Sequence, residues 1–156
     1  MSRVRPTGRF SATQRLRKRR DFQRVQSSGL RVVSRRFVFL FCPSAESARA
    51  PCRLGIVASR RIGNAVVRNR AKRLVREAFR ATRELWLAGV DLVVIVRQPL
   101  TAVGIGPVVE EWLGVGPQLK RQLTRCRQQA VTAYQASVAT GQRTPGACTE
   151  GQRQGD

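Results

Sequence analysis

The sequence contains no histidine, and its 9 acidic residues face 30 lysines and arginines. Each shortage excludes chemistry. Without an imidazole, general acid–base work near neutral pH would fall to carboxylates or lysines. A two-metal nuclease needs several carboxylates converging on ions about 4 Å apart. Here Asp21, Glu46, Glu77, Glu84, Asp91, Glu110, Glu111, Glu150 and Asp156 are spread over different stretches, and the adjacent Glu110 and Glu111 would point apart. No catalytic residue and no metal site is therefore expected in the protein itself. The cysteines, Cys42, Cys52, Cys126 and Cys148, show no Cys-x-x-Cys spacing. A structural zinc site would need all of them, one on a polar C-terminal stretch, so thiols in a reducing cytoplasm are expected instead. No apolar run approaches the ~20 residues needed to cross a bilayer. The start of the chain, with Arg3, Arg5 and Arg9 and no apolar core, is not expected to be a secretory signal, although a transit peptide would also be rich in Arg and Ser.

What the chain has is positive charge. A net charge of +21 and a pI near 11.9 exceed anything a fold requires and point to nucleic acid rather than a membrane surface. At 156 residues the chain is read as one domain with loose ends. Residues 1–15 are expected to be a flexible basic arm, residues 16–136 a single domain, and residues 137–156 a disordered tail rich in Gly, Gln and Thr.

Within the domain, hydrophobic periodicity gives a coarse order of elements. A short helix over about 19–28 ends at Gly29. The nearly continuous apolar run Arg35–Cys42 predicts a buried strand, with a short extra strand at Val32 and Val33. Cys52–Ser59 is expected to be its antiparallel hairpin partner, and Asp91–Arg97 a further buried strand stopped by Pro99. Residues 100–116 are interrupted by four glycines, with a turn or two of helix over 108–113. Pro117 opens a long helix to about residue 135, on which Leu119, Leu123, Cys126, Ala130 and Tyr134 form the apolar stripe. The result is an α+β fold, a two-layer sandwich of a small mixed sheet and helices in the order α-β-β-β-α-β-α, the long helices on one face. General chirality favours a right-handed strand–helix–strand crossover.

The stretch from Arg60 to Arg83 organises the rest. Asn64 is a suitable N-cap for a helix over about 65–87. At 100° per residue, Val67, Ala71, Leu74, Val75, Ala78 and Thr82 share one stripe, while Asn69, Lys72, Arg73, Arg76, Arg80 and Arg83 lie opposite. A solvated face normally interleaves both signs. Only Glu77 and Glu84 oppose this one, so the helix bears mutual repulsion unless a polyanion is its partner.

The run Gly63-Asn64-Ala65-Val66-Val67-Arg68-Asn69-Arg70-Ala71-Lys72-Arg73-Leu74-Val75-Arg76-Glu77-Ala78-Phe79 closely resembles the signature segment of the bacterial ribonuclease P protein family. The first helix, with basic residues ahead of Asp21-Phe22, resembles the family's first helix, and the likeness extends over about residues 16–130. It implies a left-handed crossover through the basic helix. It implies a cytoplasmic ribonucleoprotein that removes the 5′ leader from precursor tRNA. The chemistry would belong to a catalytic RNA subunit, with Mg²⁺ held by the RNA and no cofactor bound by the protein alone. The expected partners are that RNA and precursor tRNA, with no obligate protein partner. Matching positions for RNA binding are Arg60, Arg61, Arg68, Asn69, Arg70, Lys72, Arg73, Arg76 and Arg80, and for the leader Phe22, Arg19 and Leu40. Phe22 serves equally well as a stacking surface or as a residue pinning its helix. Two positions depart from the family pattern: Gln26 stands where a second aromatic is common, and Leu40 where a tyrosine is. A ribosomal or other structural RNA-binding protein fits the charge and size as well.

Overall fold

The computed structural model describes residues 10–141. Over that span the chain forms α1 (Arg19–Ser27), β1 (Leu30–Val33), β2 (Phe37–Pro43), β3 (Arg53–Ala58), α2 (Ala65–Ala81), β4 (Val90–Val96), α3 (Ile105–Gly114) and α4 (Gly116–Ala139). The four strands make one mixed sheet in the order β1-β2-β4-β3. β2 runs antiparallel to both β1 and β4, and β3 runs parallel to β4.

The expected hairpin between β2 and β3 does not form, because β4 lies between them. Burial explains the insertion. β4 (Val-Asp-Leu-Val-Val-Ile-Val) is buried at every position but one, whereas the last three residues of β3 are only half-buried. The more continuously apolar strand takes the centre. The chain returns from β3 to β4 through α2, as a parallel pair requires.

The sheet is covered on both faces by strict alternation along its strands. Phe37, Phe39, Phe41, Leu92, Val94 and Val96 point into the larger core, shared with the long helices α2 and α4. Leu40, Cys42 and Val93 point the other way, into a smaller core with Leu16 and with Val25 of α1. The larger core is fastened by aromatics: Trp112 of α3 meets Phe39 edge-on at 5.2 Å and Phe37 at 5.7 Å. Trp86 stacks on Phe79 at 5.4 Å. Such pairs add about 0.5–1.5 kcal/mol each beyond their buried area.

Three elements differ in extent from their sequence reading. α3 is a full helix of 10 residues where only a turn or two was expected. Its glycines sit at the cap, the second residue and the last residue, where they interrupt little, and Val108 and Trp112, one turn apart, are buried. α2 stops at Ala81 rather than near 87: Thr82 leaves helical geometry at φ −110° and ψ 33°, and the chain tightens into a 3₁₀ turn over Arg83–Leu85. α4 runs on to Ala139, but its burial ends at Cys126, and Tyr134 is 63% exposed rather than in the core stripe. The first residues of the expected tail are thus helical, and residues 142–156 lie outside the described part.

The N-terminal boundary moves as well. Phe10 packs edge-on against Phe79 at 5.8 Å. Ser11 and Gln14 form a reciprocal capping box, and the Leu16 amide donates to the Leu54 carbonyl at 3.0 Å. Residues 10–15, expected in a flexible arm, belong to the fold and shield the outer edge of β3. Residues 1–9 lie outside the described part.

Candidate nucleic-acid interface

β3 delivers the chain into a 3₁₀ turn over Arg60–Ile62, which buries Ile62 and exposes Arg60 and Arg61. Gly63 then adopts φ 144°, where a Cβ would also press on Val67 at 3.0 Å. This position favours glycine on both counts. Asn64 caps α2, its side-chain oxygen accepting from the Val67 amide at 3.1 Å. Ala71, Leu74, Val75 and Ala78 are buried as the periodicity requires, and so is Phe79, which lies off the expected stripe beneath Phe10 and Trp86.

The cations of α2 sort into two rows. Arg68, Lys72, Arg76 and Arg80 recur every fourth residue and are half-buried, whereas Asn69, Arg70 and Arg73 are exposed. Arg70 turns toward the carbonyls of Leu100 and Val103, each at 3.4 Å, and so ties α2 to the segment ahead of α3. Arg76 sits against the N-terminal segment. Burial, and then the charges of Arg15 and Arg73, push its guanidinium below its ordinary pKa. The α2 cations take part in none of the ion pairs among the described residues. Their field is therefore directed outward.

The carboxylates are deployed in the opposite sense. Asp91 of β4, fully buried, accepts from Arg53 Nε at 2.8 Å and Arg53 Nη2 at 2.7 Å, and also from Arg24 of α1. Arg53 Nη1 reaches Glu46 at 2.8 Å and Asp21 at 3.8 Å. Folding thus gathers acids that the sequence scatters, but two arginines occupy them. No cluster of three or more His, Cys, Asp or Glu able to hold a metal occurs among the described residues. The network fastens α1 to the sheet. Asp21 and Asp91 serve as interior anchors, whereas Glu46, Glu84 and Glu110 stay exposed.

Beneath α1 lies the expected leader surface. The Phe22 ring rests on Gly55, where a Cβ would stand 2.6 Å from its edge, and the residue is half-buried. Leu40 is 9% exposed, sealed with Val25 and Val93, and so does not line an open groove. Arg19 is exposed on the first turn of α1. What remains accessible on this face is a row that register aligns across three strands, Val38–Ile95–Val57, all half-buried. The row was legible only in part. Val38 shares parity with Leu40, but its alignment with Val57 depends on β4 lying between β2 and β3. β3 then runs on to Arg60 and Arg61.

An apolar floor, a half-buried aromatic, a helix whose cations are free of ion pairs and the interior carboxylates of Asp21 and Asp91 together define a basic α+β protein with a strongly cationic face. The chain belongs to the ribonuclease P protein family, whose model, described as Ribonuclease P, matches residues 10–112. It is 44% identical over 85 residues, 54% of this chain and 71% of the relative, to a ribonuclease P protein component of Staphylococcus aureus. Among solved structures it is similar to the RNase P protein of Staphylococcus aureus, with 37% identity, a TM-score of 0.56, and 65% and 91% of the two chains covered. The RNase P protein of Thermotoga maritima gives 39% identity and a TM-score of 0.56, with 69% of this chain and 96% of that one covered.

Proposed function

We propose that this chain is the protein subunit of ribonuclease P, binding a catalytic RNA that removes the 5′ leader of precursor tRNA in the cytoplasm. The observation that carries the reading is the division of charge. The family's signature helix presents cations free of ion pairs, while the acids best placed to gather, Asp21, Glu46 and Asp91, are neutralised by Arg24 and Arg53. A protein so arranged binds and positions phosphate and leaves hydrolysis to its partner. Mg²⁺ would be held by the RNA and substrate.

In this reading Arg60, Arg61, Arg68, Asn69, Lys72, Arg73, Arg76 and Arg80 contact RNA phosphates, guanidinium forks in bidentate fashion and Lys72 as a point charge. Arg70 divides its role with the carbonyls it already meets. The single-stranded leader lies on the Val38–Ile95–Val57 floor, with Phe22 offering a stacking edge and Arg19 a flanking charge. Leu40 supports that floor from within.

The test is cleavage of a precursor tRNA at low magnesium and moderate salt by the protein alone, by a bacterial ribonuclease P RNA alone, and by both. Efficient cleavage by the mixture alone is the expected result. Tight RNA binding with no gain in cleavage would reassign the protein to a ribosomal or architectural role.

A further inference from the structure

We propose that the cleft between the open edge of β1 and α4 is a second RNA-binding surface, taking the phosphate backbone of double-helical RNA. The cleft has a volume of about 590 Å³, and its walls include Arg31 and Val33 of β1 and Gln118, Arg121, Gln122 and Arg125 of α4. β1 pairs with β2 alone, so its other edge is unpaired. On α4 the spacing i, i+3, i+4, i+7 puts these four polar residues on one stripe. Leu119, Leu123 and Cys126, buried against the core, fix that stripe in place.

The charge in the cleft is one-sided. No acidic residue occurs anywhere in α4, and Arg31, Arg121 and Arg125 appear in none of the ion pairs among the described residues. Arg121 and Arg125 are one helical turn apart, a rise of about 6 Å, a spacing on the order of that between successive backbone phosphates. Gln118, exposed on the same stripe, offers its amide to the cleft. A ribose 2′-hydroxyl can hydrogen-bond to that amide, and the shallow minor groove of A-form RNA displays a row of them. A single strand is the poorer fit, because stacking needs aromatic faces and no aromatic residue lines the cleft.

The surface is separate from the one already described. β1 and β3 are opposite edges of a four-stranded sheet, about 15 Å apart at ordinary strand spacing. α2 packs at the β3 edge and α4 at the β1 edge. The cleft residues of α4 also lie beyond residue 112, where the family match ends. The proposal rests on the RNA-binding part of the function given above and extends it: the protein would hold two RNA segments at once, one at each edge of its sheet.

The experiment uses the full chain, a blunt RNA duplex of about 16 bp and a single strand of the same length, with affinities measured across a salt series. The variant Arg31→Gln/Arg121→Gln/Arg125→Gln should lose on the order of 100-fold in duplex affinity at 0.1 M salt, and its log–log salt slope should fall by about 2–3. Its single-strand affinity should change far less. Arg→Lys at the same three positions should restore the slope. Gln118→Glu, which leaves all three arginines intact, should weaken duplex binding by repulsion. An unchanged duplex slope in the Gln variant, or an equal loss for the single strand, overturns the proposal. The precursor-cleavage assay separates the two readings: stimulation by wild-type protein alongside a Gln variant with unchanged duplex binding removes this proposal alone, whereas a duplex-defective variant of a protein that stimulates nothing removes the ribonuclease P role alone.

Discussion

The ring of Phe22 lies directly on the backbone of Gly55, so that a methyl group on Gly55 would stand 2.6 Å from Cε1 and 2.8 Å from Cζ. Helix α1 approaches the sheet as closely as it does because β3 offers no side chain there. Gly55→Ala should therefore lift Phe22 and cost about 1–3 kcal/mol of stability through overpacking. In a double-mutant cycle, Phe22→Ala should relieve most of that cost. Additive denaturant midpoints would show that the two residues are not coupled.

Phe22 is also only half-buried, which leaves an edge for a base. Phe22→Ala should weaken binding of precursor tRNA by about 1–3 kcal/mol and leave mature tRNA unchanged, measured with the assembled ribonucleoprotein. Equal loss for both RNAs would assign Phe22 to packing alone.

The cationic face of α2 gives a prediction in salt. Six phosphate contacts at a slope of about −0.7 each lower affinity roughly 300-fold for a fourfold rise in salt. Arg68→Ala with Lys72→Ala should reduce that slope by about 1.4 while the fold persists, because both side chains are only half-buried and unpaired. Titration of the RNA subunit with each protein at several salt concentrations checks it, and superimposable slopes would remove these two residues from the interface.

The depth of the Asp91 site predicts a different failure. Asp91→Asn leaves Arg53, itself 7% exposed, with a weakened partner. Breaking a buried pair on one side costs about 3–5 kcal/mol. Urea unfolding should register that loss even without RNA, and the α1 end of the molecule should lose amide protection first. Uniform protection across the sheet would mean that the network does not anchor α1.

How much of this was legible in the sequence depended on whether the signal was local. The cap at Asn64, the buried stripe Ala71–Leu74–Val75–Ala78 and the cations opposite follow from one helix's own periodicity, and they were readable. The sheet order was not, because adjacency in sequence favoured pairing β2 with β3, while the competition for the centre was decided by the longer apolar run of β4. The same insertion created the Val38–Ile95–Val57 row and buried Leu40. The gathering of Asp21, Glu46 and Asp91 about Arg53 likewise joins four separate stretches of chain. α3 was hidden by glycines that turn out to stand at its ends.

One acid outside that network should be visible in acid unfolding. Glu111 of α3 accepts from the Ser34 hydroxyl at 2.6 Å, from the Arg36 amide at 2.7 Å and from Arg36 Nη1 at 2.7 Å, and so clamps α3 to the turn between β1 and β2. Burial alone would raise its pKa, but these hydrogen bonds and the Arg36 charge outweigh burial and hold the carboxyl below its ordinary value. A carboxylate with a depressed folded pKa contributes stability that is fully present above its unfolded pKa, about 4.3. That contribution is lost as pH falls through the folded pKa. Glu111→Gln should cost about 1.5–3 kcal/mol at pH 7, the scale of hydrogen bonds to a charged group. The deficit should shrink as pH falls below about 4, because wild type surrenders there what the variant never had. Urea unfolding of both proteins between neutral and acid pH measures the difference directly. A constant gap across that range would mean that the Glu111 clamp acts by shape and not by charge.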